Sequence, residues 1–177
     1  MTVPALGRRR LLIAGAGVTA AALGVAAYAW RAWRTDGPDE HAALWRATFP
    51  QPDGRQLVMA GLRGAPLVLN FWATWCPPCV KEMPELDRFA RQFAPQGVRV
   101  VGLAIDKVAA VNQFLARAPV SYAIGLAGFE GSELARELGN DRGGLPFTAF
   151  FDRRGRLAHR KLGETSYAEL ATWVSAG

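Results

Sequence analysis

The sequence predicts an α/β fold, a central mixed sheet flanked by helices, from three observations. The apolar run Leu67-Val68-Leu69-Asn70-Phe71 reads as a buried strand and leads into a helical stretch, Val80 to Phe93. A second apolar run, Val98 to Ile105, follows that helix, and a helix between two strands places them parallel. Near the C-terminus, Thr148 to Phe151, the turn Asp152-Arg153-Arg154-Gly155 and Leu157 to Leu162 form a hairpin, which adds antiparallel strands to the parallel pair. Helix, strand, helix, hairpin and helix around one such sheet make an α/β sandwich.

The elements follow in order. Arg8-Arg9-Arg10 precede Leu11 to Ala29, nineteen residues without a charge, and this is the layout of an export segment. Ala27-Tyr28-Ala29 offers a small-x-small cleavage site, whereas Trp30, Trp33, Arg31 and Arg34 suit the interfacial flank of a retained anchor; both readings of residues 1–34 stand, the anchor favoured. The three arginines before the run outweigh the two after it, which keeps the N-terminus in the cytoplasm and the rest of the chain outside. Residues 35–44, polar and containing Gly37 and Pro38, read as a linker, and the folded domain is expected over 45–177. Pro52-Asp53-Gly54 within Ala47 to Val58 marks a small N-terminal hairpin, and Pro84 is expected to kink the helix that contains it. Val108, Val111, Phe114 and Leu115 give Lys107 to Ala118 a helical spacing. Tyr122 to Leu126 reads as a strand, and Ser132 to Leu138 as a short helix capped by Ser132. Ser166 to Ser175 closes the chain as an amphipathic helix burying Leu170, Trp173 and Val174.

Length and charge narrow the function. With 177 residues, half of them hydrophobic, the chain holds one ordinary domain plus a short extra segment. The net charge of +6 belongs to the N-terminus, since residues 1–34 carry five arginines and no acid while the remainder is net +1. Nucleic-acid binding therefore finds no support, and the basic hairpin around Arg153, Arg154, Arg156 and Arg160 reads as a solvated turn.

The chemistry lies in Trp72-Ala73-Thr74-Trp75-Cys76-Pro77-Pro78-Cys79. These are the only two cysteines, and they sit where a strand hands over to a helix N-terminus, a place whose free N–H groups and dipole favour a thiolate. Cys76 is the candidate nucleophile. The two histidines, His41 and His159, are far away in sequence, so a metal site is poorly supported and no cofactor is called for.

The Cys-x-x-Cys at a strand-to-helix junction, followed much later by Gly144-Leu145-Pro146-Phe147-Thr148, a hairpin and a last helix, resembles the thioredoxin-like fold. Asn70-Phe71-Trp72-Ala73-Thr74-Trp75-Cys76-Pro77-Pro78-Cys79 with Lys81-Glu82-Met83-Pro84 is similar to the signature of the TlpA-like, membrane-attached thiol–disulfide oxidoreductases, which include the ResA-like and CcmG/DsbE-like proteins of cytochrome c maturation. The resemblance implies an exposed attacking thiol at Cys76 and a more buried resolving thiol at Cys79. It implies also a cis-proline at Pro146 facing the disulfide, and a central αβ insertion at Lys107 to Gly131. It further implies protein disulfide substrates, such as apocytochrome c or an oxidase copper-site protein, a DsbD- or CcdA-like membrane donor of electrons, and a periplasmic domain; the chain is read as a monomer.

One residue departs from the plain thioredoxin pattern. Asn70 stands where those proteins bury an aspartate, and an amide cannot accept the proton of a thiol. In the ResA-like pattern an acid at the end of the next strand takes that role, and Asp106 stands near it; Asp106 can equally cap the helix beginning at Lys107. Lys81 and Glu82 are expected on a solvated helix face. Peroxiredoxins share the fold, but their signature needs Thr and Pro where Ala73 and Leu69 stand. Two alternatives to a reductase stay open: a protein oxidase or isomerase of the same fold, and a client-binding or copper-handling protein without redox turnover.

Overall fold

The structure, a computed structural model, describes residues 40–176. The export segment and residues 35–39 of the linker lie outside the described residues. Ala42–Arg46 form helix α1, with Leu44 and Trp45 buried, so residues that composition assigned to the linker and domain edge are part of the folded unit from His41 onward. A hairpin follows, β1 (Thr48–Pro50) and β2 (Gln56–Val58), paired antiparallel about the expected Asp53-Gly54 turn, where Gly54 holds a left-handed φ of 84°.

The main sheet has five strands in the order β5-β4-β3-β6-β7: β3 (Leu67–Trp72), β4 (Arg99–Ala104), β5 (Ala123–Leu126), β6 (Phe147–Phe151) and β7 (Leu157–Leu162). β3 is central. It runs parallel to β4, with Asn70 beside Gly102, and antiparallel to β6, with Asn70 beside Thr148. All six residues of β3 are buried because both faces are covered, which is why the strand reads as a continuous apolar run.

Alternation along β3 divides the core. Val68 and Trp72 face helices α2 (Pro77–Phe93), α3 (Val108–Arg117) and α5 (Tyr167–Ala176), together with Met83, Leu86, Phe89, Val111 and Leu170. Leu67, Leu69 and Phe71 face α1, the small hairpin and α4 (Gly131–Glu137). Asn70 lies on the α2 side, a polar residue in the middle of the first layer. The β1–β2 hairpin packs on β5 at Gly125, where a Cβ would come within 2.7 Å of Leu103 and 3.1 Å of both Leu57 and Phe49.

Two polar links fix α2. Asp87 accepts hydrogen bonds from the N–H and hydroxyl of Ser121, both at 2.6 Å, and pairs with Arg91, tying the helix to the segment before β5. Glu85 accepts the Tyr167 N–H, and the Arg88 guanidinium lies 4.3 Å from the Tyr167 ring centre, tying it to α5. Pro84 removes one backbone donor without ending the helix, which continues to Phe93. Ser132 does not cap α4: the helix begins at Gly131, and the Ser132 hydroxyl donates instead to the Phe129 carbonyl at 2.6 Å.

Candidate active site

The helix α2 starts earlier than its apolar pattern shows, because Cys76 is its N-cap and Pro77 and Pro78 occupy the first two helical positions. Proline suits that place: its φ is preset, and the N–H it lacks would have had no helical partner. The Cys79 N–H turns back on Cys76 and donates to Sγ at 3.3 Å, while the Val80 N–H donates to the Cys76 carbonyl at 3.1 Å. Cys76 and Cys79 are joined in a disulfide with Cα atoms 5.3 Å apart. Cys79 is fully buried, and Cys76 is only 4% exposed, so the expectation of an exposed attacking sulfur is corrected for the disulfide form. Its sulfur is turned inward onto Cys79. The neighbouring Trp75, 61% exposed, forms the outward rim instead.

Asp106 follows β4 and reaches the loop that carries the thiols. Its Oδ2 accepts the Thr74 N–H at 2.9 Å and the Thr74 hydroxyl at 2.5 Å, and its Oδ1 accepts the Lys107 N–H at 2.7 Å. Burial pushes this carboxyl up, but the Thr74 hydroxyl, the two N–H donors and the Lys107 charge together hold it below the ordinary carboxylate value. The N-cap of α3 is Lys107, without a side-chain cap bond, so Asp106 does not cap that helix.

The Leu145–Pro146 bond is cis. Pro146 is buried and its carbonyl accepts the Gly163 N–H at 2.8 Å, while the Leu145 side chain packs against the cluster that contains both cysteines. Among the described residues, no backbone hydrogen bond engages the Leu145 N–H or carbonyl.

Glu82 overturns its expectation. It is 3% exposed rather than solvated, because it stands three residues after Cys79, on the same face of α2, and that face lies on the sheet. Its Oε1 accepts from Asn70 Nδ2 at 2.7 Å and its Oε2 from the Thr165 N–H at 2.6 Å. Burial is the largest influence and raises the carboxyl to about 7, against the lowering effects of Thr165 and Asn70. Lys81, by contrast, is exposed and pairs with Glu164 at 2.7 Å. Two signals for Glu82 were present in the sequence: its i+3 spacing from Cys79, and a polar Asn70 in a buried strand that needs a partner from the covering helix. The structure thus brings Cys76, Cys79, Asp106 and Pro146 to one end of the central strands β3, β4 and β6, and adds a buried, near-neutral acid on the helix that follows the thiols.

The chain matches the Redoxin family over residues 43–172. It is 28% identical over 123 residues to thiol-disulfide oxidoreductase ResA of Bacillus thuringiensis, covering 69% of each chain. It is 33% identical over 149 residues to the thiol:disulfide interchange protein DsbE of Pseudomonas aeruginosa, covering 78% of each. The solved structure of dsbF from MTB, in mixed oxidized and reduced forms, superposes with a TM-score of 0.65 at 28% identity, covering 78% of this chain and 97% of that one. With a thioredoxin-like sheet, a Cys76–Cys79 pair at a helix N-terminus and these relatives, the chain belongs to the Redoxin family and is a thiol–disulfide oxidoreductase of the ResA and DsbE kind.

Proposed function

We propose that the enzyme works as a reductase of protein disulfides. Cys76 thiolate attacks a client disulfide, one client thiolate leaves, and a mixed disulfide forms; Cys79 then attacks Cys76 Sγ, releasing the second client thiolate. The client gains two electrons and the Cys76–Cys79 bond carries the oxidation. Glu82, one helical step from Cys79, receives the Cys79 proton as that thiol becomes the nucleophile. Asp106, saturated by Thr74 and Lys107, serves to hold the loop before Cys76. The backbone of Leu145, without a backbone partner among the described residues, suits pairing with an extended client strand, with Trp75 as its apolar contact.

The observation that carries the direction is the poverty of thiolate support at the helix head. Pro77 and Pro78 have no N–H, so Cys76 Sγ receives one backbone donor, Cys79, and the buried Glu82 carboxyl lies behind the pair. A strongly stabilised thiolate makes a disulfide oxidising; a weakly stabilised one leaves it reducing.

In this reading the apolar segment tethers the domain at the cytoplasmic membrane on its periplasmic side. Its clients are exported proteins, such as apocytochrome c or a copper-site protein of an oxidase, and a DsbD- or CcdA-like membrane protein returns the electrons. The reduction potential of Cys76–Cys79 in the full chain tests the direction. A value near the thioredoxin level of about −270 mV supports a reductase, and one near the DsbA level of about −120 mV overturns it. A Cys79→Ser variant should accumulate mixed disulfides through Cys76; a client or copper binder without turnover would accumulate none.

A further inference from the structure

Four residues from four segments close a ring of hydrogen bonds between α2 and the sheet. Asn70 Nδ2 donates to Glu82 Oε1 at 2.7 Å and to the Thr148 hydroxyl at 3.0 Å. The Thr165 hydroxyl donates to that of Thr148 at 3.2 Å, and the Thr165 N–H returns to Glu82 Oε2 at 2.6 Å. All four side chains are buried. One atom of the group is left over: Asn70 Oδ1 is buried and no described donor reaches it.

The ring specifies where a proton can go. Glu82 Oε2 faces a backbone N–H, which can only donate, so a proton taken up by Glu82 settles on Oε1. There it meets Asn70 Nδ2, again a donor only, and two hydrogens would oppose each other in a buried site. A half-turn about the Asn70 Cβ–Cγ bond exchanges nitrogen and oxygen and removes the conflict, since this torsion is broadly two-fold. Oδ1 then accepts from the Glu82 acid and from the Thr148 hydroxyl, which turns to donate while still accepting from Thr165. The nitrogen takes the place of an oxygen that already lacks a partner, so one amide atom is unpaired in either orientation, with two N–H donors there in the reversed one.

We propose that Asn70 is a positioning residue for the dithiol reaction, its amide reversing with each proton that enters or leaves Glu82 so that both forms of the carboxyl stay hydrogen-bonded. This rests on the reading of Glu82 as the acceptor of the Cys79 proton. The charged and titratable groups around Glu82 are Lys161, from the end of β7, Glu164, from the turn beyond it, and Tyr122 before β5. Glu164 is itself paired with Lys81 and Lys161 with Glu169, so no cation replaces the amide at Oε1. An aspartate at position 70 would instead set a second carboxylate against the first and could serve only the protonated form.

The test is an NMR titration of the full chain in its disulfide form, without substrate, following the Glu82 carboxyl carbon and the Asn70 side-chain amide. Because no turnover occurs, its outcome is separate from whether Glu82 serves the thiols, which the activity of Glu82→Gln decides. The Asn70 amide hydrogens should lie beside the Thr148 side chain above the Glu82 midpoint and leave it below. The Asn70→Leu variant should change the proton affinity of Glu82 by less than about threefold, because both forms lose one bond. Amide contacts that stay the same across the titration overturn the proposal, as a fixed donor with an ordered water on Oδ1 would give. A rise in proton affinity of about threefold or more in Asn70→Leu, the mark of a partner to the carboxylate alone, overturns it as well.

Discussion

Replacing Glu82 by glutamine removes a buried carboxyl that the fold holds near neutrality, and the effect on stability has a definite sign. In the folded protein Glu82 titrates at about 7, against 4.5 for an ordinary glutamate. Between those values the folded state keeps a proton that the unfolded chain releases, so the stabilisation is fully present below pH 4.5 and is lost as pH rises through 7. At 1.36 kcal/mol per pH unit the whole effect is about 3 kcal/mol, of which about 2.5 kcal/mol falls between pH 5 and pH 8.5. Glutamine carries no titrating group and keeps an acceptor for the Thr165 N–H, so its stability should not share this loss. Urea unfolding of both proteins in the disulfide form, at a series of pH values, isolates Glu82 because every other group is common to the two. The two should be similar at pH 5, with Glu82→Gln the more stable by about 2.5 kcal/mol at pH 8.5. Stability curves that run parallel within about 1 kcal/mol would refute the reasoning, since Glu82 would then titrate alike in the folded and unfolded chain.

Asp106 carries the opposite sign. Its carboxyl is held below the ordinary value, so its contribution is present near neutrality and lost on acidification; Asp106→Asn should cost about 2 kcal/mol at pH 7, with the gap closing below about pH 4 in the same unfolding assay. Gly125→Ala forces a methyl against Leu103, Leu57 and Phe49 and should destabilise by about 1–3 kcal/mol, read as a lower Tm; an unchanged Tm would show that the small hairpin does not press on β5.

The sequence alone determined most of the architecture. The strands β3 and β4 are legible because residues buried on both faces must be apolar throughout, and the closing hairpin because Asp152 to Gly155 admits a turn and little else. Cys76 and Cys79 are legible because their chemistry depends on covalent spacing, and Pro146 through the resemblance to the thioredoxin-like fold. The charged residues were less legible. Glu82 looks like a surface residue when read along the chain and Asp106 reads equally as a proton acceptor or a helix cap, since burial of a carboxyl depends on what packs over it. Only the docking of α2 on the sheet decided that Glu82 faces Asn70, Thr148 and Thr165, which lie 12 to 83 residues away in sequence. Only the return of β4 beside β3 gave Asp106 the Thr74 donors that hold its charge. Hydrophobic pattern is a one-dimensional signal, but the protonation of a carboxyl follows its desolvation and its donors, and those exist only once distant segments have met.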